Sequence, residues 1–174
     1  MPEIDALEAF NVSLLRHLDQ YLLLRRSPNK PFAPGRWSGV GGHVEPHEFY
    51  QLQAAALREV REETGISPGD IENFVLRRML FVSRPNQPLR VLTYYTGVLD
   101  HLVTPHCDEG ELVWKRVEEF AGLDIIETTR SVLRLLVDDM QRDPAGIETP
   151  RAGLSVFTSD GVFQRLLWGN EFPS

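Results

Sequence analysis

Hydrophobic and polar positions along the chain change period several times, and each change marks an element. Phe10-Asn11-Val12-Ser13-Leu14-Leu15 alternates in part, His17-Leu18-Asp19-Gln20 is polar enough to turn, and Tyr21-Leu22-Leu23-Leu24 is a short apolar run. Residues 7 to 24 therefore read as two strands around a turn, the second of them buried. Ser27 to Gly35 holds three prolines and reads as a loop. From Phe49 to Thr64 the period becomes helical, with good helix formers, no Gly or Pro, and Ala56, Leu57 and Val60 on one apolar stripe. Gly65 stands where a helix C-cap is expected. Asn73 to Val82 and Arg90 to Leu99 read as strands joined by a turn-rich linker, and in the second Leu92, Tyr94 and Thr96 alternate with Val91, Thr93 and Tyr95. Val117 to Phe120 opens a short helical turn. Glu127 to Arg142 is a second amphipathic helix, carrying Val132, Leu135, Leu136 and Met140 at three/four spacing. After a linker the chain ends in a hairpin over about 152–168 with a Gly-containing turn. There is no internal repeat, and the 174 residues form one domain.

The first helix carries the chemistry. Glu59, Glu62 and Glu63 project from one face, within about 100° of arc. Like charges so close repel, and a hard divalent cation with oxygen ligands and a phosphate substrate is one reason to keep them. A Glu-rich face is also ordinary solvated surface. What sets this one apart is its flanks: Gly41-Gly42, Glu45-Pro46 and Glu48 before it, Thr64-Gly65-Ile66 after it.

Gly42, Glu48, Arg58, Glu59, Val60, Glu62, Glu63, Gly65 and Ile66 resemble the Nudix box, spanning residues 42–66. Two features depart from that pattern. Nine residues separate Glu48 from Arg58 where the family has seven, and His47 stands where Gly is usual. In an unbroken helix Glu48 and Glu63 would lie about 22 Å apart. The two extra residues are therefore expected before the helix, with His47-Glu48 folding back toward the carboxylates.

The resemblance implies an α/β protein, an α/β/α sandwich with a mixed β-sheet. It implies a Mg²⁺- or Mn²⁺-dependent pyrophosphohydrolase acting on a nucleoside diphosphate linked to another moiety, with (oxidised) nucleoside triphosphates as the expected substrates. The implied metal ligands are Glu59, Glu62, Glu63 and the carbonyl of Gly41. Glu63 and Glu48 are expected in the catalytic machinery, with Arg58 paired to a carboxylate to orient the cluster. Gly35-Arg36-Trp37-Ser38-Gly39-Val40 resembles the segment before the box in the MutT-like branch, which sanitises oxidised purine triphosphates. Arg25, Arg26, Arg36, Trp37 and Ser38 are thus the expected substrate-binding residues, although a strand-end arginine and a core tryptophan are the plainer readings. In the mammalian member of that branch an Asn follows the Trp and reads the base; here Ser38 has shorter reach and no amide. Asp108-Glu109-Gly110-Glu111-Leu112-Val113-Trp114 resembles the acidic stretch ahead of a late Trp-containing strand, which makes Glu109 and Glu111 further expected ligands or bases.

Composition narrows the partners. A net charge of −7 and a pI near 5.2 argue against general nucleic-acid binding and require metal and local Arg or Lys to bring in a polyphosphate. The single cysteine, Cys107, excludes an intrachain disulfide and suits a reducing cytosol. His101, His106 and Cys107 match no structural zinc spacing. The opening MPEIDALEAF shows no signal peptide, and no run has transmembrane length, so a cytoplasmic protein without membrane partners is expected. Homodimerisation stays open. So do an ADP-ribose or dinucleotide pyrophosphatase and a non-catalytic Nudix-fold nucleotide sensor. An isopentenyl diphosphate isomerase would need Cys and Glu machinery that a single-Cys chain lacks.

Overall fold

The strand-forming runs pair into one mixed sheet of eight strands in the computed structural model, which describes residues 7–85, 87–103 and 107–171. In chain order these are β1 (Leu7–His17), β2 (Gln20–Arg26), β3 (Trp37–Ser38), β4 (Glu72–Val82), β5 (Leu89–Val98), β6 (Gly110–Arg116), β7 (Arg151–Phe157) and β8 (Phe163–Trp168). The two α-helices are α1 (Leu52–Thr64) and α2 (Glu127–Arg142). His106, considered above for zinc, lies outside the described residues.

The sheet runs β3-β2-β1-β5-β4-β7-β8, with β6 pairing β2. β1–β5 and β4–β7 are parallel, and the remaining pairs antiparallel. β1 stays with β2 only from Leu15 to His17 and then parts from it. The freed edge of β1 is taken up by the strap at 39–43: Ser13 exchanges backbone hydrogen bonds with Val40, and the Asn11 N–H donates to the Gly42 carbonyl at 2.9 Å.

Alternation along the strands sorts the core into two layers. Val12, Leu14, Tyr21, Leu23 and Tyr94 pack with Val132, Leu133, Leu136, Val137 and Met140 of α2. Leu15, Leu22 and Tyr95 pack with Ala56 and Val60 of α1. The architecture is the expected sandwich, with one α-helix on each face of a mixed sheet. α2 has the bounds that its apolar period implied. Gly65 caps α1 in the left-handed conformation (φ 73°), donating its N–H to the Arg61 carbonyl at 2.8 Å.

The sequence placed the start of α1 too early. It begins at Leu52, not Phe49, because Pro46 seeds a single 3-10 turn, Pro46–Glu48, ahead of it. The extra residues of the box are absorbed there, before the helix. The C-terminal hairpin is tied down by charge as well as packing. Arg78 of β4 holds Asp139 of α2 with two hydrogen bonds of 2.7 and 2.8 Å, and its guanidinium lies 4.7 Å from the Trp168 ring centroid. No helix among the described residues is long and apolar enough to cross a membrane.

Candidate active site

The site forms where the N-terminal strap crosses the C-terminal half of α1. Gly41 makes the crossing possible. Its φ is +151°, and a Cβ there would strike the Asn11 carbonyl. The Gly41 N–H donates to Glu63 Oε2 at 2.8 Å. Next to it, a Cβ on Gly42 would stand 2.5 Å from Glu59 Oε2, so the diglycine is what lets α1 bring two carboxylates onto backbone.

Arg58 organises the other carboxylates. Its Nε and Nη2 donate to Glu48 Oε1 and Oε2 at 2.7 and 2.8 Å. Nη1 donates to Glu59 Oε1 at 2.8 Å and to Glu62 Oε2 at 2.9 Å, and Nη2 also reaches the His43 carbonyl at 3.3 Å. The Glu45 N–H donates to Glu48 Oε2 at 3.0 Å, so Glu48 is enclosed by donors. The fold-back of His47-Glu48 toward the cluster is therefore present, but it ends on Arg58.

The electrostatics differ across the cluster. Arg58 holds the Glu48 carboxyl at about 2, far below the usual carboxylate range. Burial pushes Glu63 up to about 7. The Gly41 N–H opposes that shift, while the charges of Glu59 and Glu109 add to it and that of Arg26 offsets part. Burial raises Glu59 as well, against the pull of Arg58. Glu62 is exposed, with 59% of its side-chain surface open. Glu63 is thus the carboxylate that burial disfavours most and that Arg58 does not reach.

The remaining expected residues divide by face. Arg26 shares the α1 face with Leu22 and Leu24, within electrostatic reach of Glu63. Glu109 joins it there, paired to Lys30 at 2.5 Å, and Lys30 belongs to the proline-rich loop. Glu111 does not join it. It stands in register with Arg25, on the face that carries Leu23 and α2, so strand alternation turns it away from the cluster. Trp37 is also in register with Arg25, and its ring packs against the α2-side core with Lys115 Nζ 5.9 Å from its centroid. Arg36 is engaged by Asp124, Glu127 and the Ile125 carbonyl. The Ser38 hydroxyl donates to the Gly39 carbonyl at 2.9 Å.

Two residues near the cluster were not among the expected site residues. Asn11 lies against Gly41 and Gly42 from β1. Cys107 is half-buried within electrostatic reach of Glu63 and Glu109, and burial raises its thiol.

A mixed sheet between two helices, with a carboxylate-rich helix held on a diglycine strap, is the arrangement of an enzyme that hydrolyses phosphoanhydrides. The NUDIX domain model matches residues 7–136, and the chain belongs to the Nudix family of pyrophosphohydrolases. It is similar to the nucleoside triphosphatase NudI of Salmonella arizonae, with 32% identity over 132 residues, covering 66% of this chain and 86% of that protein. It resembles the nucleoside triphosphatase NudI of an Escherichia coli O17:K52:H18 strain at 26% over 130 residues, covering 70% and 91%. Among solved structures, the mutator MutT protein from Bacillus halodurans superposes with a TM-score of 0.65 at 18% identity, covering 94% of this chain and 98% of that one. The MutT protein from Methanosarcina mazei Go1 gives a TM-score of 0.57 at 25% identity, covering 76% and 94%.

Proposed function

We propose that the protein hydrolyses nucleoside triphosphates to nucleoside monophosphate and pyrophosphate with Mg²⁺ or Mn²⁺. The observation that carries this reading is the half-buried Glu63, fixed on the Gly41 N–H beside Glu59 and left out of the Arg58 network. The substrate class is supported by the likeness to the NudI nucleoside triphosphatases.

The donor set suits a hard dication in kind. Glu59 and Glu63 offer oxygen only, the Gly41 carbonyl would add a backbone oxygen, and Glu62 stands at the rim. Among the described residues no three carboxylate, imidazole or thiol groups already converge on one point. Bound there, the metal would neutralise the phosphates and polarise phosphorus toward attack by water. Glu48 fixes Arg58, and Arg58 in turn fixes Glu59, so those two residues orient a ligand without touching substrate. Arg26 and Lys30 bring positive charge to the mouth of the site, which a chain of net charge −7 requires to admit a polyphosphate. In the reaction, water adds to a phosphorus, the bond to the pyrophosphate oxygen breaks, and a carboxylate takes the proton of the water.

The deciding assay is product analysis with dNTPs and NTPs in Mg²⁺, with ADP-ribose and a dinucleoside polyphosphate alongside. Nucleoside monophosphate and pyrophosphate in equal amounts are expected. Turnover of ADP-ribose alone, or release of orthophosphate one at a time, would replace this reading.

A further inference from the structure

The face of β1 that looks toward α1 is apolar at both ends and polar in the middle. Ala9 packs with Val44 and Ala55, and Leu15 with Ala56 and Val60. Between them stand Asn11 and Ser13, 1% and 0% exposed. Asn11 Nδ2 and Ser13 Oγ have no hydrogen-bond partner among the described residues. A buried, unpaired polar group costs about 1–3 kcal/mol, and an apolar side chain would fill the same place without that cost.

Asn11 is engaged on its other side. Its backbone N–H donates to the Gly42 carbonyl, its carbonyl abuts the α-carbon of Gly41, and its Oδ1 accepts the Gly42 N–H at 3.4 Å. That last bond sets the amide's orientation, because Gly42 N–H needs an oxygen to face it. Nδ2 is therefore directed away from the strap's donor. Gly41 and Gly42 are the residues on which Glu63 and Glu59 rest.

Resting on the hydrolase reading above, we infer that Asn11 is a positioning residue of the site. Its Oδ1 sets the diglycine strap beneath the two carboxylates. Its Nδ2 is reserved for an acceptor oxygen, of water or of phosphate, that enters only when the site is loaded. Among the described residues this donor has no partner, and loading supplies one.

The test follows the Asn11 side-chain amide by ¹⁵N–¹H NMR, identifying it as the pair missing from Asn11→Asp. Mg²⁺ is added alone, then with a non-hydrolysable α,β-methylene triphosphate. A downfield shift of one amide proton with Mg²⁺ alone assigns the acceptor to water, and a shift that needs the nucleotide assigns it to phosphate. Either supports the inference. Asn11→Leu, an apolar near-isostere, is expected to keep its melting temperature while kcat/KM falls about tenfold or more, as loss of a hydrogen bond made in the loaded site requires. An unmoved amide in both titrations, or an Asn11→Leu enzyme with wild-type kcat/KM, overturns it. Should Asn11→Leu fail to fold, the amide titration of the wild-type protein still decides. Wild-type inactivity on every nucleotide would instead remove the hydrolase reading, which these outcomes do not touch.

Discussion

Arg58 grips Glu48 through a two-point pair at 2.7 and 2.8 Å, although Glu48 ends a 3-10 turn and two extra box residues lie between them. The same guanidinium reaches Glu59, so the pair is the hinge between the strap side and the helix side of the site. Arg58→Lys keeps the charge and loses the fork geometry. Its kcat/KM is expected to drop by about tenfold to a hundredfold, the usual cost of losing an orienting partner around a metal ligand. Stability should change little, since Arg58 is about one-third exposed. Steady-state kinetics beside thermal melts separate the two effects, and equal loss in both would mean that Arg58 serves only the fold.

Glu59→Gln and Glu63→Gln test the metal assignment directly. On the reading proposed above, each removes an anionic oxygen that would hold the metal, and kcat should fall at least about a hundredfold. Both variants should melt no lower than the wild type without metal, because burial disfavours both charges. Calorimetric titration with Mn²⁺ should show weakened binding in both, and near-normal turnover in the pair would end the assignment.

The pH dependence of stability follows from the same burial. Glu63 sits at about 7 in the folded protein against an ordinary 4.5, so folding favours its protonated form. Its contribution is full below about 4.5 and is lost as pH rises through 7, by up to about 3 kcal/mol. Glu48 runs the other way: held at about 2 by Arg58, it stabilises above 4.5 and loses that contribution as pH falls toward 2. Urea melts in a chelator at pH 5 and pH 8 should therefore show wild type and Glu63→Gln close together at pH 5 and apart at pH 8, with the variant more stable. A constant gap would show that Glu63 is already ionised at pH 5.

These outcomes also mark how far the sequence alone could reach. The second helix was readable to its ends from three/four spacing, and Gly65 announced the close of the first. Both are local signals. The start of α1 was not readable, because the 3-10 turn Pro46–Glu48 ahead of it is held by the Glu48–Arg58 side-chain pair, which no period records. The parallel pairings of β1 with β5 and β4 with β7 depend on crossovers, not on alternation. Alternation does show that Glu111 faces opposite to Leu112 and Trp114. It turns Glu111 from the cluster only once α1 is known to cover the Leu112 side. Asn11 looks like any polar residue of a strand until Gly42 is placed against it, 31 residues away.

The buried pair Arg78–Asp139 gives a stability prediction outside the site. Their side chains are 3% and 5% exposed and joined by two hydrogen bonds. Asp139→Ala leaves a buried guanidinium without its partner and should cost about 3–5 kcal/mol. Replacing both, Arg78→Met with Asp139→Leu, should recover most of that loss, since well-packed apolar groups avoid the desolvation of two charges. Urea midpoints of the single and double variants check it, and a double variant as weak as the single would locate the stability in the Arg78–Trp168 contact instead.

Substrate breadth is the final expectation, and it turns on Ser38. Its hydroxyl proton is given to the Gly39 carbonyl, so what remains for a base is at most an acceptor, without the two-point contact of an Asn amide. A site with one neutral contact rejects a wrong base weakly, because few buried polar groups are left unpaired by it. We therefore expect activity on several nucleoside triphosphates, with kcat/KM among bases spread over roughly tenfold, the worth of one neutral hydrogen bond. Measuring 8-oxo-dGTP, dGTP, dATP and dCTP with the wild type gives that spread directly. Ser38→Asn restores an amide beside Trp37 and should widen the spread, without lowering the turnover of the preferred base, if this strand faces the nucleoside. A wild-type preference above about a thousandfold exceeds what one neutral hydrogen bond supplies and would show that another element reads the base. A Ser38→Asn enzyme with an unchanged spread would show that the base binds away from β3.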